Sequence, residues 1–362
     1  MRWDNLKLDE TPAGPGPAGP GPATLEPTLF ERRAVTRTFD TPGFRGITFY
    51  EIQARSIINK VPAASRVPFR WTINPYRGCS HACVYCFARN THTYLDLDAG
   101  LDFNSKIIVK VNAPELARKE LTARQWRVEH VAMGTNVDCY QRAEGRYQLM
   151  PGIISALADA ANPFSILTKG TLILRDLDLL VGAAEVTDVG LNTSVGSVDE
   201  DLWRLVEPGT PSPQRRLDVC ARLTENGLRC GVLMGPVIPF LSDSPSQLAR
   251  TVRQIAEAGA AQVSPIVLHL RPGAREWFGA WLREHHPGLV SAYRDLYGNG
   301  SYAPKSYQQR IADQVRELAQ KYAVGHARPG AARALRRTAR PPAAAPPGEA
   351  AASDGHTQLS LL

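Results

Sequence analysis

The sequence predicts an α/β fold, a partial (β/α)6 barrel with disordered ends. Six short β-rich runs alternate with helical patterns between about residues 42 and 326. Both ends are built from proline, alanine and glycine, which offer little apolar area to bury. Alternating strand and helix signals imply parallel strands, because a parallel pair needs a long crossover and a helix is the usual one. The chemistry is placed by a third observation: Cys79, Cys83 and Cys86 lie within eight residues, just after the first run.

Taken in order, residues 11–27 alternate proline with small residues and read as an extended leader within a mostly disordered stretch, 1–41. Phe69-Arg70-Trp71-Thr72-Ile73 reads as the first strand, and residues 84–95 as the helix after the cysteines. Residues 106–111 and a helix over 114–124 look inserted before the second strand, 128–133. The remaining strands are expected at 164–168, 186–192, 229–234 and 262–268. Before the sixth, Leu248, Val252, Ile255 and Ala256 recur on one helical face. Ser244 can cap that helix, Pro245 fits its first turn, Gln247 can complete a capping box and Gly259 is a stop signal. Cys220 and Cys230 fall in a helix and a strand and read as core. The stretch 327–362 returns to proline and alanine and reads as a disordered tail.

With 362 residues and 43% hydrophobic composition the chain can bury a core, as one large domain or two ordinary ones. No run of about 18 apolar residues predicts a membrane span. The first residues lack the apolar core of a secretory signal, so a cytoplasmic location is expected, where reducing conditions suit free thiolates. The net charge is +7. Acids outnumber bases by two in residues 1–29, and arginines outnumber acids by two in 329–362, so the basic excess belongs to the folded part. It permits a nucleic-acid partner, but a solvated basic face is the commoner cause of so modest an excess.

Three cysteines this close form a metal-ligand arrangement. Thiolates are soft ligands that suit iron-sulfur clusters, and a 4Fe-4S cube held by three of them keeps one iron open. The plainer readings are a zinc site completed by His81 or His92, or buried thiols. Zinc ordinarily takes paired C-x2-C knuckles, and no second knuckle is present.

The spacing C-x3-C-x2-C, with Tyr85 just before the last cysteine, resembles the radical S-adenosylmethionine (SAM) superfamily. The words Asn-Pro-Tyr-Arg-Gly-Cys (74–79) and Tyr-Cys-Phe-Ala-Arg (85–89) resemble its spore photoproduct lyase-like, or DNA repair photolyase-like, branch. The resemblance covers roughly residues 43–275 and implies the partial (β/α)6 barrel, a 4Fe-4S cluster on Cys79, Cys83 and Cys86, and SAM chelated at the open iron. Residues 134–144, Gly-Thr-Asn-Val-Asp-Cys-Tyr-Gln-Arg-Ala-Glu, resemble the branch's Gly-Thr-Asn-Thr-Asp-Pro-Tyr-Gln-Pro-x-Glu. By that match Thr135 and Asn136 sit at the SAM methionine amine, and Tyr85 beside the cofactor.

Two departures fall in this motif. Val137 replaces a threonine and Cys139 a proline, which sets an extra thiol near the expected cofactor. A thiol can return a hydrogen atom in radical chemistry, so Cys139 is a candidate catalytic residue; the competing reading is a small buried side chain. Thr168-Lys169-Gly170 resembles the branch's Thr-Lys-Ser, and a lysine directly after an apolar strand can point its ammonium at the SAM carboxylate. Asn192 and Ser194 close the fourth strand with groups suited to a ribose, and Arg271 follows the sixth, free to meet a substrate phosphate or to cap the barrel.

The resemblance implies an enzyme that cleaves SAM reductively to a 5′-deoxyadenosyl radical, with a flavodoxin or ferredoxin as electron donor. A damaged or modified nucleic-acid base is the leading substrate. Radical modification of a protein or small molecule is the rival enzyme reading, and a zinc-stabilised nucleic-acid-binding protein is the rival outside catalysis. The last residues, Gln358-Leu359-Ser360-Leu361-Leu362, resemble the peptide that docks on the bacterial DNA sliding clamp.

Overall fold

Six parallel strands carry the molecule. In the computed structural model, which describes residues 34–325 except 64 and 66 together with the strand Leu6–Lys7, the strands in chain order are β1 Leu6–Lys7, β2 Val35–Thr38, β3 Thr48–Ala54, β4 Ile58–Lys60, β5 Trp71–Ile73, β6 Tyr76–Arg77, β7 Lys106–Lys110, β8 Val131–Met133, β9 Phe164–Thr168, β10 Val189–Ser194, β11 Cys230–Val237 and β12 Gln262–Val267. The main sheet has the order β12-β11-β10-β9-β8-β5-β4. Strands β5, β8, β9, β10, β11 and β12 pair in parallel, and β4 is added antiparallel to β5. The sheet ends at β12 and β4, which do not pair with each other, so the barrel is partial.

Period two divides these strands into two faces. Phe164, Ile166, Leu191, Cys230, Val232, Met234, Val263 and Val267 are buried on the face that meets the helices. Each such side chain contributes about 1.5–3 kcal/mol by leaving water. The other face carries Ser165, Leu167, Asn192, Leu233 and Ser264, which are only partly buried and line the open interior. Strand termini on this interior face are where side chains can reach a bound group.

The helix Pro245–Glu257 forms as the sequence implies, with the reciprocal capping box of Ser244 and Gln247, while Leu248, Val252 and Ile255 are fully buried. Cys220 and Cys230 lie in the core. Other boundaries shift. The second strand starts at Val131 rather than 128, because Val128 takes a left-handed φ of 54° and stands half in solvent. The fourth starts at Val189, since Val186 completes the helix Leu177–Val186. The helix expected over 84–95 is a 3-10 helix, Phe87–Leu95, that leaves Val84 and Tyr85 in the cysteine loop. The one expected over 114–124 spans Ala113–Leu121.

The run at 106–111 is inserted, as expected, between the first and second barrel strands. As β7 it pairs with β3 and β6, and β1 and β2 flank β3, giving a second sheet behind the cysteine loop. The leader and tail expected at 1–41 and 327–362 lie mostly or wholly outside the described residues, as do Gln358, Leu359, Leu361 and Leu362. No helix among the described residues is long and apolar enough to cross a membrane.

Candidate active site

The cysteine loop leaves β6 at Gly78. This position has a φ of 76°, and a Cβ there would lie 2.8 Å from the Lys106 carbonyl oxygen and 2.9 Å from the His92 ring, so only glycine fits. Cys79 and Cys83 are buried and Cys86 is partly so. The backbone between them is tied from two sides. Val84 N–H donates to the Val206 carbonyl at 3.0 Å, and Gly209 N–H to the His81 carbonyl at 3.1 Å. From the opposite side, the Gln141 carboxamide accepts from Ser80 N–H at 2.9 Å and donates to the Gly78 carbonyl at 2.9 Å.

Arg89, wholly buried, secures the far end of the loop. Its guanidinium donates to the carbonyls of Cys83 (3.0 Å) and Gly100 (2.8 Å) and to Asn104 Oδ1 (3.0 Å), and lies over the rings of Phe103 and Trp277. A buried cation held this way favours anionic thiolates nearby. Burial pushes all three thiols up, Cys83 to about 12 and Cys79 well above the usual range, with neighbouring thiols and Asp138 adding to the rise at Cys79. Three thiolates in so dry a loop therefore need a compensating cation such as iron.

Each histidine has one ring nitrogen engaged: His81 Nδ1 lies 3.4 Å from Asp138 Oδ2, and His92 Nε2 is 3.0 Å from the Lys106 carbonyl. Among the described residues no three His, Cys, Asp or Glu side chains converge as the shell of a single ion. A 4Fe-4S cube takes one thiolate on each of three irons, a donor set that three cysteines can supply.

Above the loop, Gly134 ends β8 with a φ of 74°, where a Cβ would fall 1.8 Å from the Leu167 carbonyl oxygen. Thr135 and Asn136 follow, half-buried, and Asp138 gathers donors from three places: Thr168 Oγ1 (2.6 Å), Lys169 N–H (2.6 Å) and Tyr140 N–H (2.8 Å). Cys139 is wholly buried in the core, its thiol raised by burial and by Asp138 and Glu144, so it does not open to the barrel mouth. Glu144, also buried, accepts from Tyr76 Oη at 2.5 Å and from Arg175 at 2.7 Å and fixes this segment to the second sheet.

Lys169 projects from the end of β9 across the interior. Its ammonium donates to Ser194 Oγ at 2.7 Å and lies 3.9 Å from Glu207 and 6.0 Å from the centre of the Tyr85 ring. Glu207 accepts from Tyr85 Oη and from Arg216, whose other nitrogen donates to the Ser194 carbonyl at 2.9 Å. Burial pushes the Glu207 carboxyl up, yet Arg216 and Lys169 outweigh it and hold the group below its ordinary value, as an anion. Tyr85, raised well above the usual range by burial and Glu207, stays a neutral phenol. Asn192 lies over Gly231, where a Cβ would come 2.5 Å from its Oδ1.

Thus Tyr85, Lys169 and Ser194 meet beside the cysteine loop, Thr135 and Asn136 stand on the neighbouring turn, and Asn192 sits lower on the interior face. Cys139 is wholly buried. Glu207, Arg216, Arg89 and the work of Asp138 and Gln141 were not apparent from local sequence. Asp138 and Gln141 lie within the 134–144 motif, but Glu207 has no signal beyond a charge next to Pro208.

The family model for the radical SAM superfamily matches residues 73–254. The chain belongs to the radical SAM superfamily. The match spans the cysteine loop, Lys169, Glu207 and Arg216, and membership implies an enzyme with a 4Fe-4S cluster and SAM. An uncharacterised protein of Mycobacterium tuberculosis is 50% identical over 292 residues, covering 81% of this chain and 86% of that protein. One from Methanocaldococcus jannaschii is 31% identical over 199 residues, 54% of this chain and 70% of that protein. Spore photoproduct lyase complexed with dinucleoside spore photoproduct has a similar fold, with a TM-score of 0.59 at 16% identity over 80% of this chain and 85% of that one. A variant of that lyase with bound AdoMet and the same dinucleoside gives 0.58 at 16% identity, over 73% and 77%.

Proposed function

We propose that this radical SAM enzyme holds its cluster on Cys79, Cys83 and Cys86, binds SAM at the ends of β8–β10, and acts on a damaged or modified base in nucleic acid. When bound, the reduced cluster and SAM supply one-electron cleavage of the sulfonium and removal of a hydrogen atom from the substrate. The observation that carries the reading is the Lys169 ammonium, held at 2.7 Å by Ser194 Oγ in the interior beside the cysteine loop. A flexible lysine anchored at one acceptor keeps further donors for a carboxylate, the group that SAM presents.

The chain's own residues bind and orient. Lys169 takes the SAM carboxylate, Thr135 and Asn136 lie at the amine, and Ser194 and Asn192 face the ribose. Tyr85 closes the loop side and, with Glu207 and Arg216 behind it, excludes water from the interior. Cys139, enclosed in the core, is given packing rather than hydrogen-atom return. A nucleic-acid substrate is supported by the basic excess of the folded part and by the lesion-bound lyase of similar fold. A flavodoxin- or ferredoxin-type protein would supply the electron, and the 358–362 peptide would bring the enzyme to a sliding clamp. Anaerobic reconstitution followed by oligonucleotides bearing cross-linked or modified pyrimidines tests the substrate: dithionite-dependent, substrate-stimulated 5′-deoxyadenosine is expected, and no stimulation by any nucleic acid would overturn that part.

A further inference from the structure

The turn at 138–141 touches both halves of the site. At its start the Asp138 carboxylate accepts from Lys169 N–H and Thr168 Oγ1, each at 2.6 Å, and Thr168 Oγ1 accepts in turn from Gly170 N–H at 2.7 Å. These bonds wrap the end of β9, fixing where the Lys169 side chain begins. At the turn's other end, the wholly buried Gln141 pairs both atoms of its carboxamide with the backbone on either side of Cys79, accepting from Ser80 N–H and donating to the Gly78 carbonyl. The turn cannot slide: a Cβ at Gly170 would sit 2.2 Å from the Tyr140 carbonyl oxygen, and the Asp138 carbonyl accepts from Gln141 N–H at 3.4 Å.

We propose that this turn is the coupling element of the site, in which Asp138 positions Lys169 and Gln141 positions Cys79, so that the cluster loop and the SAM-binding strand end keep one spacing. Neither residue reaches the reacting atoms; both act through a neighbour. The proposal rests on the functional reading above. It assigns Asp138 chiefly to Lys169, because its two 2.6 Å bonds to the end of β9 are far shorter than its 3.4 Å approach to His81 Nδ1 in the cysteine loop, and Gln141 to Cys79; a general packing role makes no such division. In Asp138→Asn one oxygen becomes an amide that faces the N–H and O–H donors of β9, so at least one buried bond is lost whichever way the amide turns. In Gln141→Met volume is kept and both bonds to the loop vanish.

The test uses the full chain, reconstituted anaerobically, and reads iron content, the electron paramagnetic resonance (EPR) spectrum of the reduced cluster with and without SAM, and SAM affinity by equilibrium dialysis. Asp138→Asn should keep wild-type iron, lose SAM affinity about tenfold or more, and lose the SAM-induced change in the spectrum. Thr168→Val should move the same way and Thr168→Ser should recover most of the affinity; this pair carries the test if Asp138→Asn fails to fold. Gln141→Met should lose iron faster to a chelator and show an altered spectrum before SAM is added. Wild-type SAM binding and spectral response in Asp138→Asn, equal behaviour of the two Thr168 variants, or iron retention unchanged in Gln141→Met would overturn the proposal. A wild type that takes up neither iron nor SAM overturns the functional reading itself, and the coupling with it.

Discussion

Lys169 is the side chain on which the site turns. Its ammonium has one close acceptor, Ser194 Oγ, and a more distant anion, Glu207, whose nearer ion-pair partner is Arg216. Removing it should therefore cost the fold little and cost SAM a charge-assisted bond of about 1.5–3 kcal/mol, roughly tenfold or more in affinity. Dialysis of SAM against Lys169→Ala, beside its melting temperature, checks both halves. Unchanged affinity with a collapsed melting temperature would make the lysine structural. Glu207 is the reverse case, a buried anion whose partners are structural. Its folded carboxyl titrates below the ordinary 4.5, so its stabilisation is present above that value and lost as pH falls through the lower folded one. Breaking such a pair costs about 3–5 kcal/mol, so Glu207→Gln should melt well below wild type at pH 7, and the gap should close as pH falls through the lowered folded value. Lys169 was legible because it directly follows an apolar strand. Glu207 was not, because a lone carboxylate in a loop looks like surface until Arg216 and Tyr85 are seen to enclose it.

At the level of elements, the loop Glu207–Thr210 and the turn 138–141 grip the cysteine loop like two jaws. Gly209 lies so close that a Cβ would fall 2.1 Å from the Ser80 carbonyl oxygen. Gly209→Ala should push this jaw outward, loosening Cys79 and Cys83, and the protein should lose iron faster to a chelator while its far-UV dichroism stays near wild type. Iron retention equal to wild type would show that the jaw does not matter. The six parallel strands were legible because apolar runs at regular spacing survive a few residues of boundary error. Their ends were less so: Val128 is apolar yet takes a left-handed turn, and Val186 is β-branched yet closes a helix, both side chains being about half exposed. The second sheet was missed for another reason. A strand signal at Lys106–Lys110 does not say that its partner is Thr48–Ala54, and pairing over that separation is fixed by packing rather than by local pattern.

For the whole molecule, the barrel supplies rigidity and the open interior face supplies access. Ile166 is fully buried on the helix side of β9, and Ile166→Ala should cost about 2–5 kcal/mol in denaturant melts and lower SAM binding only as far as the folded fraction falls. The 353–362 peptide should bind the host's sliding clamp, and changing Gln358 and Leu361 to alanine should abolish it; equal binding by both, or none, removes the argument for a replication or repair setting. The central claim is that three cysteines hold a cluster at which SAM is cleaved. Its most direct test is anaerobic reconstitution of wild type and of Cys79→Ala, Cys83→Ala and Cys86→Ala, counting iron per chain and dithionite-dependent 5′-deoxyadenosine. The account predicts about four irons and the nucleoside from wild type, with both lost in each variant; a wild type that holds zinc and never cleaves SAM, or a variant that keeps both activities, would contradict it.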